Sequence, residues 1–133
     1  MSDAENPLES FKRATTATIR AIAGDDELDV VFAAGPPVVR GGTLRLPVPA
    51  MGANQTEIDA VRGVGDEFAL RFRHHNPQLH ARYSPEGGPA QEMFEWIESA
   101  RIASIGAMRM KGVAQNLDAH LEVQCKQAAF DLS

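Results

Sequence analysis

Residues 89–117, PAQEMFEWIESARIASIGAMRMKGVAQNL, carry the longest uninterrupted helical signal in the chain, and their reading decides the fold. Placed at about 100° per residue, Met93, Phe94, Trp96, Ile97, Ala100, Ile105, Ala107 and Met108 share one arc wider than half the circle. A helix that apolar is normally covered from two sides, so the segment reads as the central helix of the fold. Arg101 falls inside the arc, where an unpaired charge is costly, and calls for a carboxylate partner or a route to the surface. Gly112 projects from the same side and is expected to admit another helix closely, at a propensity cost of about 1 kcal/mol. On this reading Trp96→Ala is the most damaging single change, at roughly 3 to 5 kcal/mol for a buried ring. Arg101→Ala also destabilises if its partner is buried.

Upstream, the breaker cluster Ser84-Pro85-Glu86-Gly87-Gly88-Pro89 separates this helix from a short one that opens at Asn76-Pro77 and runs to about Tyr83. Before that, Asn54-Gln55-Thr56-Glu57 combines a capping side chain with a carboxylate placed to reach back, and opens a long helix to about His74. Ile58, Val61, Gly65, Phe68, Ala69 and Phe72 form its stripe, with Gly65 allowing close approach of a neighbour. Asp66, at the edge of the stripe, is the expected partner of Arg101, ahead of Asp59 and Glu67. Asn6-Pro7-Leu8-Glu9 starts the first helix, with Leu8, Phe11, Thr15, Thr18, Ile19 and Ile22 on one face and Gly24 as its stop.

Between these helices, the β-branched and aromatic run 28–32 reads as a strand ended by Gly35-Pro36-Pro37. A second strand, 43–46, follows Gly41-Gly42, and the two suggest an antiparallel ribbon that must lie on the helices to be stable. The expected fold is α+β and predominantly helical: a helix, a two-stranded antiparallel ribbon, then three or four helices packed around a central long helix. Residues 1–117 are expected to form the compact domain with its ribbon at 28–46. Residues 118–133, whose helical pattern ends without punctuation, read as an extension cut from a longer chain.

A length of 133 residues suits one domain with a real core. The net charge of -5, with signs interspersed, argues against nucleic acid, which requires clustered Lys and Arg. A single cysteine, Cys125, excludes an internal disulfide and a thiolate cluster. With no signal-like start and no apolar run of about 20 residues, the chain is expected to be cytoplasmic, with no membrane association.

The metal-capable side chains that cluster in sequence are His74, His75 and His80, while His120 stands apart. The three can meet around an ion only if the turn at Asn76-Pro77 folds them together. Otherwise they serve as caps and edge residues at a helix end. An H-E-x-x-H helix would fall at Asp66-Glu67-Phe68-Ala69-Leu70, which lacks both histidines. No phosphate-binding glycine loop or nucleophile elbow occurs, so neither a catalytic residue nor a cofactor-binding residue is assigned within this segment.

Phe11-Lys12-Arg13-Ala14-Thr15 with Thr18-Ile19-Arg20-Ala21-Ile22-Ala23-Gly24 resembles the amino-terminal region of the CobT subunit of aerobic cobaltochelatase. So do Glu98-Ser99-Ala100-Arg101-Ile102, Ile105-Gly106-Ala107, Met110-Lys111-Gly112-Val113-Ala114 and Asn116-Leu117, and so does 69–80. The resemblance implies a subunit of a multisubunit, ATP-dependent enzyme that inserts Co²⁺ into hydrogenobyrinic acid a,c-diamide. It implies an AAA+ ATPase subunit and a large macrocycle-binding subunit as partners, with Co²⁺ and ATP-Mg²⁺ handled by the whole complex. Family members continue into an acidic linker and a von Willebrand A domain with a D-x-S-x-S metal site, a motif this chain lacks. Three roles follow: a non-catalytic assembly domain docking to itself or to the AAA+ subunit, a His-based metal-handling module, or a zinc-peptidase-like scaffold without activity.

Overall fold

The computed structural model describes residues 6–132, with side chains described through residue 126. Along the chain run α1 (Pro7–Ala23), β1 (Asp29–Phe32), β2 (Val38–Arg40), β3 (Thr43–Leu46), α2 (Gln55–His74), α3 (Pro77–Tyr83), α4 (Gly88–Arg109) and α5 (Lys111–Leu132). The architecture is α+β and predominantly helical.

Local capping fixes three of the helix starts. The Asn6 side chain accepts the Leu8 amide at 2.9 Å, Asn54 accepts Glu57 at 2.8 Å, and Asn76 accepts both Gln78 and Leu79 at 3.1 Å. Gly24 closes α1 in the left-handed conformation, with its amide returned to the last turn. α4 starts differently: Gly87 has no capping side chain, and its amide donates to Gln91 Oε1 at 3.0 Å.

The sheet departs from the expected ribbon. A third strand, β2, forms a hairpin with β3 across Gly41-Gly42, whose φ values of 58° and 82° suit a tight turn that other residues would strain. β1 lies on the other edge of β3 and runs parallel to it, Asp29 facing Thr43 and Phe32 facing Leu46. Leu28, Leu44 and Leu46 enter the core beside Ile19 and Ile22 of α1.

The central helix is α2, not α4. One of its faces, at Gly65 and Ala69, is covered by α1 and β3: a Cβ at Gly65 would lie 2.8 Å from Ile19 Cδ1 and 3.3 Å from Leu46 Cδ1. Its opposite face, at Ala60, Gly63, Asp66 and Leu70, meets α5 and α4. At Gly63 the α5 backbone comes so close that a Cβ would be 2.2 Å from the Asn116 carbonyl oxygen. Polar pairs reinforce this seam, with Asn116 Nδ2 donating to Asp66 Oδ2 at 2.9 Å and His120 Nε2 lying 3.0 Å from Glu67 Oε2. The hydrogen bond from His120 holds the Glu67 carboxyl below the usual range, against partial desolvation.

α4 packs on α2 through a narrower face than its sequence suggests. Ile102 is fully buried, and Gly106 sits over Leu70, whose Cδ1 would be 2.4 Å from an added Cβ. Most of the broad apolar arc turns outward, with Trp96 77% exposed, Ile97 61%, Met93 62% and Met108 88%, while Phe94 and Ile105 are half-buried. The helix also ends at Met110, which takes an extended conformation, and α5 begins anew at Lys111. Among the described residues nothing lies within 4 Å of a Cβ added at Gly112, so none of them approaches closely there. Arg101 does not meet Asp66. It is exposed, bonds Glu98 one turn back on its own helix, and donates from Nη2 to the His74 carbonyl at 3.1 Å.

Three outcomes follow for equilibrium denaturation. Trp96→Ala is expected to stay within about 0.5 kcal/mol of the parent, as a surface change does, while Ile102→Ala loses roughly 2 to 5 kcal/mol; the reverse order contradicts this packing. Gly63→Ala must move the α5 backbone and is expected to cost roughly 1 to 3 kcal/mol, whereas Gly112→Ala is neutral or stabilising by up to about 1 kcal/mol. Similar effects at the two glycines contradict the close approach. Burial pushes the Asp66 carboxyl up from 3.8 to about 6, against the hydrogen bond from Asn116 and the charge of Arg62. The folded state thus holds this proton more tightly than the unfolded chain, so the contribution is complete below 3.8 and lost as pH rises through about 6. Asp66→Asn, measured against the parent at about pH 4 and about pH 8, should gain relative stability at the higher pH by roughly 2 to 3 kcal/mol; a pH-independent difference contradicts the burial.

Candidate functional site

Two features stand out once the helices are placed. The first is the outer face of α4, where Met93, Trp96, Ile97, Ala100 and Met108 recur at helical spacing and are all exposed. An aromatic and aliphatic stripe of this kind in solvent marks a contact surface more often than an accident of composition. Its rigidity comes from the opposite side of the same helix, where Ile102 and Gly106 lock onto α2 and Ser99 Oγ accepts from Arg71 Nη2 at 2.8 Å.

The second is a polar cluster where α2, α3 and α4 converge. α2 ends at His75 in an extended conformation, and Asn76-Pro77 immediately restarts the chain as α3. That turn brings His80 back over His75, with ring centroids 4.8 Å apart. α4 supplies the third group: Glu98 Oε2 lies 3.0 Å from His75 Nδ1 and 3.8 Å from His80 Nδ1. Opposite, His80 Nε2 is 2.6 Å from Glu95 Oε1, and the Phe94 ring packs on the imidazole at 4.7 Å. The hydrogen bond from Arg101, and then that from His75, hold the Glu98 carboxyl below the usual range although desolvation pushes it up. An apolar groove of about 490 Å³, lined by Leu28, Leu44, Phe68 and Phe72, opens beside His75.

Of the three histidines singled out in the sequence, the turn unites His75 and His80 and leaves His74 aside. The His74 imidazole is held below its usual range by desolvation first and then by Arg109, Arg73 and Arg101, an environment hostile to a cation. Glu98 and Glu95 were missed because they lie on another helix, well along the chain. The only available signal was their spacing of three, which puts both on one face of α4. His120 pairs with Glu67, and Cys125 is exposed on α5. On the segment compared with H-E-x-x-H, Asp66 faces Asn116 and Leu70 faces Gly106, both within the core.

No helix among the described residues is long and apolar enough to cross a membrane. No solved structure matches the chain. The family described as "Cobalamin biosynthesis protein CobT" matches residues 5–132. The match spans the first helix, the sheet, the α2–α5 seam and the histidine cluster together, and the chain therefore belongs to the CobT family of cobalamin biosynthesis proteins.

Proposed function

We propose that this chain is a non-catalytic assembly and coupling domain of an ATP-dependent cobaltochelatase, supporting insertion of Co²⁺ into hydrogenobyrinic acid a,c-diamide. Membership of the CobT family supports the pathway, and the outer face of α4 carries the assembly role. Trp96, Ile97 and Met93 offer a central aromatic anchor with flexible apolar neighbours, the composition that dominates binding energy at protein interfaces. The occupant of this face is the AAA+ ATPase subunit, and the macrocycle-binding subunit completes the complex. α4 is suited to pass on motion because its inner side is fixed to α2 at Ile102 and Gly106, so a displacement imposed on the outer stripe moves the core helix with it.

The test is capture of purified AAA+ subunit, and separately of the macrocycle-binding subunit, by this chain and by Trp96→Glu and Ile97→Glu variants whose far-ultraviolet spectra match the parent. Each substitution is expected to weaken AAA+ capture by at least about 30-fold, the equivalent of roughly 2 kcal/mol at an interface hot spot. Undiminished capture by both variants, or full chelatase assembly and turnover after deletion of this domain, overturns the proposal.

A further inference from the structure

We infer that His75, His80 and Glu98 form a binding site for a single divalent transition-metal ion, held by two imidazoles and one carboxylate from three different helical elements. Each residue offers one ligand atom, and these atoms lie within 4.8 Å of one another. Around a tetrahedral ion with bonds of about 2.0 to 2.1 Å, ligand atoms sit about 3.3 Å apart. The separations of 3.0 Å and 3.8 Å from Glu98 Oε2 to the two Nδ1 atoms lie on either side of that value, and because the set spans up to 4.8 Å the side chains must draw together around the ion.

The surroundings of His80 Nδ1 are the stronger observation. Glu95 Oε1 can only accept, so at 2.6 Å it fixes the proton of a neutral His80 on Nε2. Nδ1 then carries a bare lone pair. It is buried, has no hydrogen-bond partner among the described residues, and faces the Glu98 carboxylate. The gap between this nitrogen and the Glu98 oxygen suits one cation, a metal ion held by both atoms or a second proton on the imidazole, and the titration below tells the two apart. A carboxylate behind the distal ring nitrogen is also the arrangement that orients metal-binding imidazoles and raises their basicity. His75 contributes its Nδ1 in the tautomer that carries the proton on Nε2, so that metal replaces the Nδ1 proton in the contact with Glu98 while the imidazole stays neutral.

Nitrogen ligands with a single carboxylate select borderline ions of the zinc and cobalt class over magnesium or calcium, which prefer oxygen. Three protein ligands leave a fourth position for water or for a group that arrives with the ion. Binding also fastens α3, which buries no residue of its own, to the end of α2 and the middle of α4. This inference is independent of the docking face proposed above, which lies on the opposite side of α4.

The experiment is calorimetric titration of the chelator-dialysed chain with Zn²⁺ and with Co²⁺, alongside thermal denaturation with and without each ion. One ion per chain is expected, with a raised thermal midpoint and, for Co²⁺, a ligand-field absorption band. His75→Ala and His80→Ala should each abolish the band and weaken binding by at least about tenfold, and Glu95→Gln should keep the stoichiometry with an affinity loss of roughly tenfold. His74→Ala should bind as the parent does. Circular dichroism of the metal-free proteins separates lost ligands from lost fold, and Glu98→Gln, which preserves shape, provides the variant least prone to unfold. Absence of binding to the parent, or unchanged binding in folded His75→Ala and His80→Ala, overturns the assignment.

Discussion

The α5 backbone lies against Gly63 so closely that no side chain fits between them, and the rest of the architecture follows from that approach. It sets α5 beside α2 along a seam stitched by Asn116 to Asp66 and His120 to Glu67. With α1 and β3 on its other face, α2 is enclosed from both sides and becomes the axis of the core. Little of its flank remains for α4, which buries Ile102 and Gly106 against it, adds polar contacts from Ser99 and Glu98, and packs on α5 as well. Met93, Trp96, Ile97 and Met108 therefore stay outside. Enclosure also explains the chemistry of Asp66, a carboxylate deep in the seam whose single side-chain hydrogen bond does not offset its desolvation.

What the residues announce locally, they announce correctly. Asn6, Asn54 and Asn76 each mark a helix start because a cap is decided within three or four residues of the chain. Gly65 was readable as a point of close approach because a glycine in the middle of an apolar stripe has few other uses. The orientation of α4 was not readable. Periodicity states which residues share a face, but not whether that face meets the chain's own core or another molecule, and the apolar content of 93–108 is equally compatible with both. The partner of Arg101 differs for the same reason: with the arc outside, Arg101 is half exposed and its carboxylate is the largely buried Glu98 of its own helix rather than Asp66. Gly112 reads as a close contact only if the helix continues past Met110; the extended Met110 ends it there, and Gly112 falls in the first turn of α5.

The sheet and the histidine cluster fell between these extremes. Val38-Val39-Arg40 is too short to register as a strand between two prolines and two glycines, yet its presence places β1 beside β3 in parallel. Among the histidines, proximity along the chain grouped His74 with its neighbours, although the fold turns it toward arginines. The group that completes the cluster, Glu98, comes from a helix whose position depends on the core as a whole. Helix α4 thus has two working sides. Its inner acidic residues gather the ends of α2 and α3, and its outer stripe points away from them.

The chain's single tryptophan sits on that outer stripe, so its emission reports directly on the central claim that this face is bare in the free domain and covered in the complex. Fluorescence of the dilute chain, with acrylamide quenching, is measured before and after addition of purified AAA+ subunit made tryptophan-free. Emission typical of water with ready quenching, shifting to shorter wavelength with loss of quenching on addition, is the predicted result. A blue-shifted, protected tryptophan in the free chain, or emission unaltered at saturating partner, contradicts the account.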